Sequence, residues 1–141
     1  MKYFHDVKKY NKPVRIFYLF LGATLILVGS INYDKSYTFW NFTFCGLFLV
    51  YSGYKVRDYH AEFLVAYLYS LIPFFIVNGI LTDGNFDYNY LTEPVVWYNN
   101  NENLFIRIIT IPFEDLFYSM LLLIMNVTFY EKFMSKSIKN I

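Results

Sequence analysis

Cysteine, histidine and charge are all scarce in this chain of 141 residues, and each scarcity removes a class of function. The single cysteine, Cys45, cannot close an internal disulfide; in its apolar run a packed or lipid-facing thiol is the ordinary outcome. The two histidines, His5 and His60, stand far apart in polar segments, without the spacing of a metal site. No glycine-rich dinucleotide or phosphate motif interrupts the chain. Only 16% of residues are charged, and the net charge of +1 excludes a strongly electrostatic partner. The basic residues lie in short segments between apolar runs, so nothing forms a nucleic-acid face.

What is abundant is apolar. Hydrophobic residues make up 57% of the chain and aromatic residues 23%, with 16 Phe and 15 Tyr. This composition suits an integral membrane protein better than a soluble domain. Part of the aromatic excess is interfacial anchoring, and rings in such number can also line a site for an aromatic-like or polyene ligand. Four windows stand out: Ile16 to Tyr33, Ser36 to Tyr54, Phe63 to Thr82, and Ile108 to Tyr130. The first three carry no charge, and the fourth is interrupted only by Glu114 and Asp115. A spanning helix needs about 20 apolar residues, and backbone groups in lipid must be satisfied within the segment, which makes these helices. The first window exceeds the roughly 7–15 residues of a secretory signal core, and no small-residue cleavage site follows, so it reads as a retained helix. Asn41-Phe-Thr43 and Asn126-Val-Thr128 match the glycosylation pattern but lie inside apolar runs and are set aside. The expectation is one all-α domain over residues 1–141: an integral membrane helical bundle of about four transmembrane helices.

Basic residues set its orientation. Lys2, Lys8, Lys9, Lys12 and Arg15 precede the first span, Lys55 and Arg57 follow the second, and Lys132, Lys136 and Lys139 follow the fourth. Lys35 and Arg107 alone lie in the other two connections. With both termini cytoplasmic, ten of the twelve basic residues are inside, as the positive-inside rule asks. The third connection, from Asp83 to Arg107, is long, and a loop of that length is usually functional or mobile. Gly84, Asn85 and Asp87 give it turn chemistry at its start.

The pair Glu114–Asp115 is the feature of greatest chemical interest. An acid inside a membrane span is costly and marks a functional site by default. Burial and mutual repulsion favour keeping a proton on such a pair, whereas the positive end of a helix dipole favours charge. Pro112 fits the first turn of a helix, where its missing N–H is harmless. Tyr118 follows the two acids by four and three residues and can reach either. At 3.6 residues per turn Asp115, Tyr118, Leu122 and Asn126 form one stripe, expected to face the bundle interior. Arg107 is the candidate counter-ion, and Asn78, near the outer end of the third span, lies at a similar depth to the acids. Pro73 is expected to kink that span and free a carbonyl. The plainer reading makes Glu114 and Asp115 an interfacial capping pair, and Asn126 an interhelical hydrogen bond.

Taken together, Asn78-Gly79-Ile80-Leu81-Thr82, Val96-Trp97-Tyr98-Asn99, Arg107-Ile108 and Pro112-Phe113-Glu114-Asp115-Leu116-Phe117-Tyr118 resemble the lycopene cyclase domain of carotenoid biosynthesis. The type is the small integral-membrane one that occurs as heterodimers or fused domains, unrelated to the flavoprotein cyclases. Its Pro-x-Glu-Glu/Asp motif is matched by Pro112, Glu114 and Asp115. The resemblance is strongest over 61–133 and closest to the carboxyl-terminal domain of the fused type. It implies a multi-pass protein of the cytoplasmic membrane that acts on lycopene or a related polyene. It implies a redox-neutral isomerisation to β-ionone rings without a cofactor, and a second domain of the same kind, since this chain carries one acidic motif where the family usually has two. Glu114 would be acid or acid/base with Asp115 assisting, and Asn78, Arg107, Tyr118 and Asn126 would surround the substrate. Other readings are a non-catalytic or carotenoid-binding subunit, a proton-relay or transport protein, and a hydratase that traps the same cation with water.

Overall fold

A computed structural model describes residues 7–55, 57–82 and 94–139, with backbone only for the last five. Among these residues the regular structure is helical apart from one small hairpin, and a loop over 94–106 leads into that hairpin. A 3-10 turn, Val7–Tyr10, leads into helix α1, Asn11–Ile31. Helix α2 is Ser36–Tyr54 and α3 is His60–Thr82. Strands β1, Arg107–Ile108, and β2, Ile111–Pro112, pair antiparallel, and α4 runs from Glu114 to Lys139. Two stretches, Val7–Ile31 and His60–Thr82, are long and apolar enough to cross a membrane. The other two long helices, α2 and α4, carry the buried polar residues Thr38, Asn41, Ser52, Glu114, Asp115 and Thr128. The Gly84, Asn85 and Asp87 turn and His5 lie outside the described residues.

Helices α1 and α2 pack along most of their length, and α4 packs on the other side of α2. Tyr18, Leu25, Phe42, Cys45, Leu49, Met120, Leu121 and Ile124 fill the space between them, joined by Phe63 and Tyr67 of α3. The thiol of Cys45 is fully buried there. Close approach of α1 and α2 depends on glycine: a Cβ on Gly22 would come within 2.7 Å of the Gly46 carbonyl oxygen, and one on Gly46 within 2.6 Å of the Gly22 oxygen. Helix α3 stays continuous through Pro73.

The fourth window departs from expectation. Its helix begins at Glu114, and the residues before it form the hairpin, with Arg107 opposite Pro112 and Ile108 opposite Ile111. Proline pushes the residue before it out of the helical region, so Ile111 extends and Pro112 closes a strand instead of opening a helix. Phe113 N–H then donates to the Ile106 carbonyl at 2.9 Å, which fixes the hairpin to the helix start. Ile109, at the hairpin tip, takes φ 60° with its side chain 78% exposed, a conformation that is strained for a β-branched residue.

Candidate active site

The amino-terminal end of α2 meets that of α4, and the loop before the hairpin clamps the two together. Glu102 of this loop caps α2: its carboxylate accepts from Ser36 N–H at 3.0 Å, and its carbonyl accepts from Tyr37 and Thr38 N–H at 3.0 and 3.2 Å. These are the orphan donors of a helix start, satisfied here from a distant part of the chain. The cap holds the loop against α2, so both contribute partners to the acids of α4.

Glu114 is fully buried. Its Oε1 accepts from the Thr38 hydroxyl at 2.6 Å and from Leu104 N–H at 2.7 Å, while Oε2 is buried without a protein partner. Asn41 donates to the Glu114 carbonyl at 2.8 Å and so supports the first turn of α4. Asp115 is gripped from two sides: Tyr37 of α2 donates to Oδ1, and Tyr98 of the loop donates to Oδ2. Burial, reinforced by the bond to Asp115, pushes the pKa of the Tyr98 hydroxyl well above the usual phenol range, so it remains a donor at physiological pH.

Two grooves flank this cluster. One, of about 620 Å³, runs between α3 and α4, with Asp115, Tyr37, Tyr98 and Asn78 among apolar residues that include Phe74, Val77 and Leu122. The other, of about 630 Å³, lies between α2 and α4 and is lined by Tyr37, Trp40, Phe44 and Leu121. Tyr37 and Tyr118 belong to both. Glu114 lines neither and sits one layer deeper, against Thr38.

The model of the lycopene cyclase family matches residues 34–133. The chain belongs to the lycopene cyclase family. No curated protein and no solved structure matches it. The family match starts well before the stretch of strongest motif resemblance, 61–133, and takes in all of α2. That helix supplies the partners of both acids.

Within this lycopene cyclase domain the expected residues are not all brought together. Asn78 shares a groove with Asp115, although its amide donates to the Phe74 carbonyl at 3.0 Å. Tyr118 lines both grooves, but the hydroxyls on the acids are those of Tyr37, Thr38 and Tyr98. Arg107 is not the counter-ion of the acids. The hairpin carries it outward, where its guanidinium donates to the Thr110 carbonyl and to Asn100, each at 2.6 Å, and it approaches the site only through the Tyr98 ring at 5.8 Å. The stripe through Tyr118, Leu122 and Asn126 is exposed and does not face the bundle interior. Adjacent helical positions differ by about 100°, and the face packed inward runs instead through Glu114, Leu121, Ile124 and Thr128. Asn126 bonds back to the Leu122 carbonyl at 2.8 Å and lines neither groove.

The sequence reading missed Tyr37, Thr38 and Asn41. A signal was present: Thr38, Asn41, Cys45, Leu49 and Ser52 recur at spacings of three or four, which marks a small and partly polar buried stripe in an otherwise aromatic helix.

Proposed function

We propose that this chain is a catalytic domain of a membrane lycopene cyclase, closing the ends of lycopene or a related polyene to β-ionone rings by redox-neutral acid catalysis. One observation carries the reading: a buried acid pair, one member of which forms the wall of an apolar groove large enough for a polyene end. The groove lies between helices, so a bilayer-dissolved substrate can enter sideways. An acid adds its proton to the terminal double bond. The cation that results is attacked by the next double bond, which forms the ring, and loss of a ring proton restores the acid. No oxidant is consumed. Asp115 is the acid that meets the polyene, and Glu114 stands behind it, locking the start of α4 against α2 and the loop. Asn78 and Tyr118 complete the groove wall, and the aromatic faces around it favour the cation.

The four helices span the membrane with both termini cytoplasmic, which places the acid pair toward the outer leaflet, and a second domain of the same kind completes the enzyme. Expression in a lycopene-accumulating bacterium, alone and with a candidate partner domain, tests the reading by chromatography with mass detection. An isobaric pigment with cyclised ends is expected with the partner, and D115N and E114Q are expected to abolish it. A product heavier by one water would make the protein a hydratase. Unchanged lycopene, with both domains present in the membrane, would leave this chain a non-catalytic subunit.

A further inference from the structure

Tyr37 combines two properties that no other described residue shares. Its hydroxyl donates to Asp115, and its side chain lines both grooves. Tyr98, in the loop before the hairpin, donates to the second oxygen of the same carboxyl. The two rings lie 6.3 Å apart at 52°, and their hydroxyls take up both oxygens of the one carboxyl. Each is itself anchored. Tyr37 is held at the capped start of α2 by Glu102, and the Tyr98 ring lies under the Arg107 guanidinium, which is tied to Asn100 and Thr110.

We propose that Tyr37 and Tyr98 form a two-sided clamp that orients the Asp115 carboxyl at the groove wall, and that the Tyr37 ring is in addition a contact surface for the reacting polyene end. The substrate half of this rests on the cyclase reading; the clamp itself does not. The chemistry follows from the donor count. When Asp115 gives its proton to the inner CH carbon of the terminal double bond, a C–H bond forms, the fully substituted end carbon becomes the tertiary cation, and a carboxylate is left. Two phenol O–H groups stabilise that carboxylate through charge-assisted hydrogen bonds. While Asp115 holds the proton, its single O–H is donated to one of the phenols, which becomes an acceptor. The cation is taken up by the next double bond, and the proton lost from the ring returns to the carboxylate, so the clamp and the acid are regenerated. Tyr37, as the shared wall of both grooves, meets the cation with its ring face.

The test uses the full chain with its partner domain, at membrane levels matched by immunoblot. Y37F and Y98F keep the rings and remove one donor each; each is expected to lower cyclised product about tenfold. The double variant is expected to fall well below either single variant, because the Asp115 carboxyl then loses both phenol donors. Y37L is expected to lose about a further tenfold relative to Y37F, since it also removes the ring. A second readout needs no substrate: the infrared carboxyl band of purified protein that disappears in D115N is expected to shift in Y37F and in Y98F. A band unmoved in both variants would overturn the clamp, and a Y37L variant equal to Y37F would overturn the contact role of the ring. Wild-type chain that leaves lycopene unchanged alongside its partner would overturn the cyclase reading alone, because the infrared band still decides the clamp.

Discussion

At the scale of the residue, Glu114 shows how neutral groups position an acid. One carboxyl oxygen takes two bonds, from Thr38 and from the backbone of Leu104, while the other is buried without a protein partner. Removing a donor from a buried acceptor costs more than the mean value of a hydrogen bond, because the acceptor stays desolvated. T38V keeps the shape of the side chain and removes the donor. It is expected to destabilise the domain by about 1–3 kcal/mol, read as thermal unfolding in detergent, and T38S is expected to restore most of the loss. An unchanged midpoint in T38V would mean that water already serves this oxygen. Ile109 offers the opposite case. Its backbone sits in the left-handed region with the side chain mostly exposed. Glycine there relieves a strain of about 1–2 kcal/mol, so I109G is expected to raise the unfolding midpoint, provided nothing covers the side chain. A fall would show that a second domain or lipid packs on Ile109.

At the scale of the element, the α1–α2 pair depends on backbone contact at Gly22 and Gly46, whereas Gly79 on α3 has open space where a Cβ would stand. Small residues let membrane helices approach closely and gain packing that larger side chains forbid. G46L is therefore expected to separate the two helices, with the loss of the Thr38 and Asn41 contacts that depend on α2, and to leave little protein surviving detergent extraction. G79A is expected to behave like wild type within about 1 kcal/mol. Equal survival of the two variants would remove the close contact as the basis of the pair. The helices themselves were legible because charges bound each apolar window, and α2 began at the expected Ser36. The hairpin was not, because Ile108 to Phe113 is as apolar as the helix that follows, and the one punctuating residue, Pro112, suits a helix start as well as a strand. The site was legible in part. Glu114 and Asp115 announce themselves as charges in an apolar run, whereas Tyr37, Thr38 and Asn41 are neutral, and their role arises only where α2 crosses α4. The Glu102 cap on α2 joins residues 66 positions apart and leaves no local signature.

At the scale of the whole molecule, the arrangement of bases and acids along the chain carries the argument about topology. Lys12 lies in the first turn of α1 and Lys132 beyond the middle of α4, both exposed, while Ile109 marks the hairpin beside the acid pair. If the four helices all span, the first two positions share one side and the third lies opposite; the proposed topology makes that shared side cytoplasmic. Under that proposed topology Asp115 would stand near the outer leaflet, where an apolar substrate dissolved in the bilayer would meet the groove edge-on. Replacing Cys45, which is buried in the core, by alanine leaves a background in which single cysteines K12C, I109C and K132C can be read with a membrane-impermeant maleimide. Spheroplasts are expected to label I109C at once, and K12C and K132C only after permeabilisation. Labelling of K12C and K132C from opposite sides would require an odd number of spans and would break the bundle assignment. Labelling of both from outside would keep the bundle and invert it, which would move the acid pair to the cytoplasmic leaflet and the substrate's entry with it.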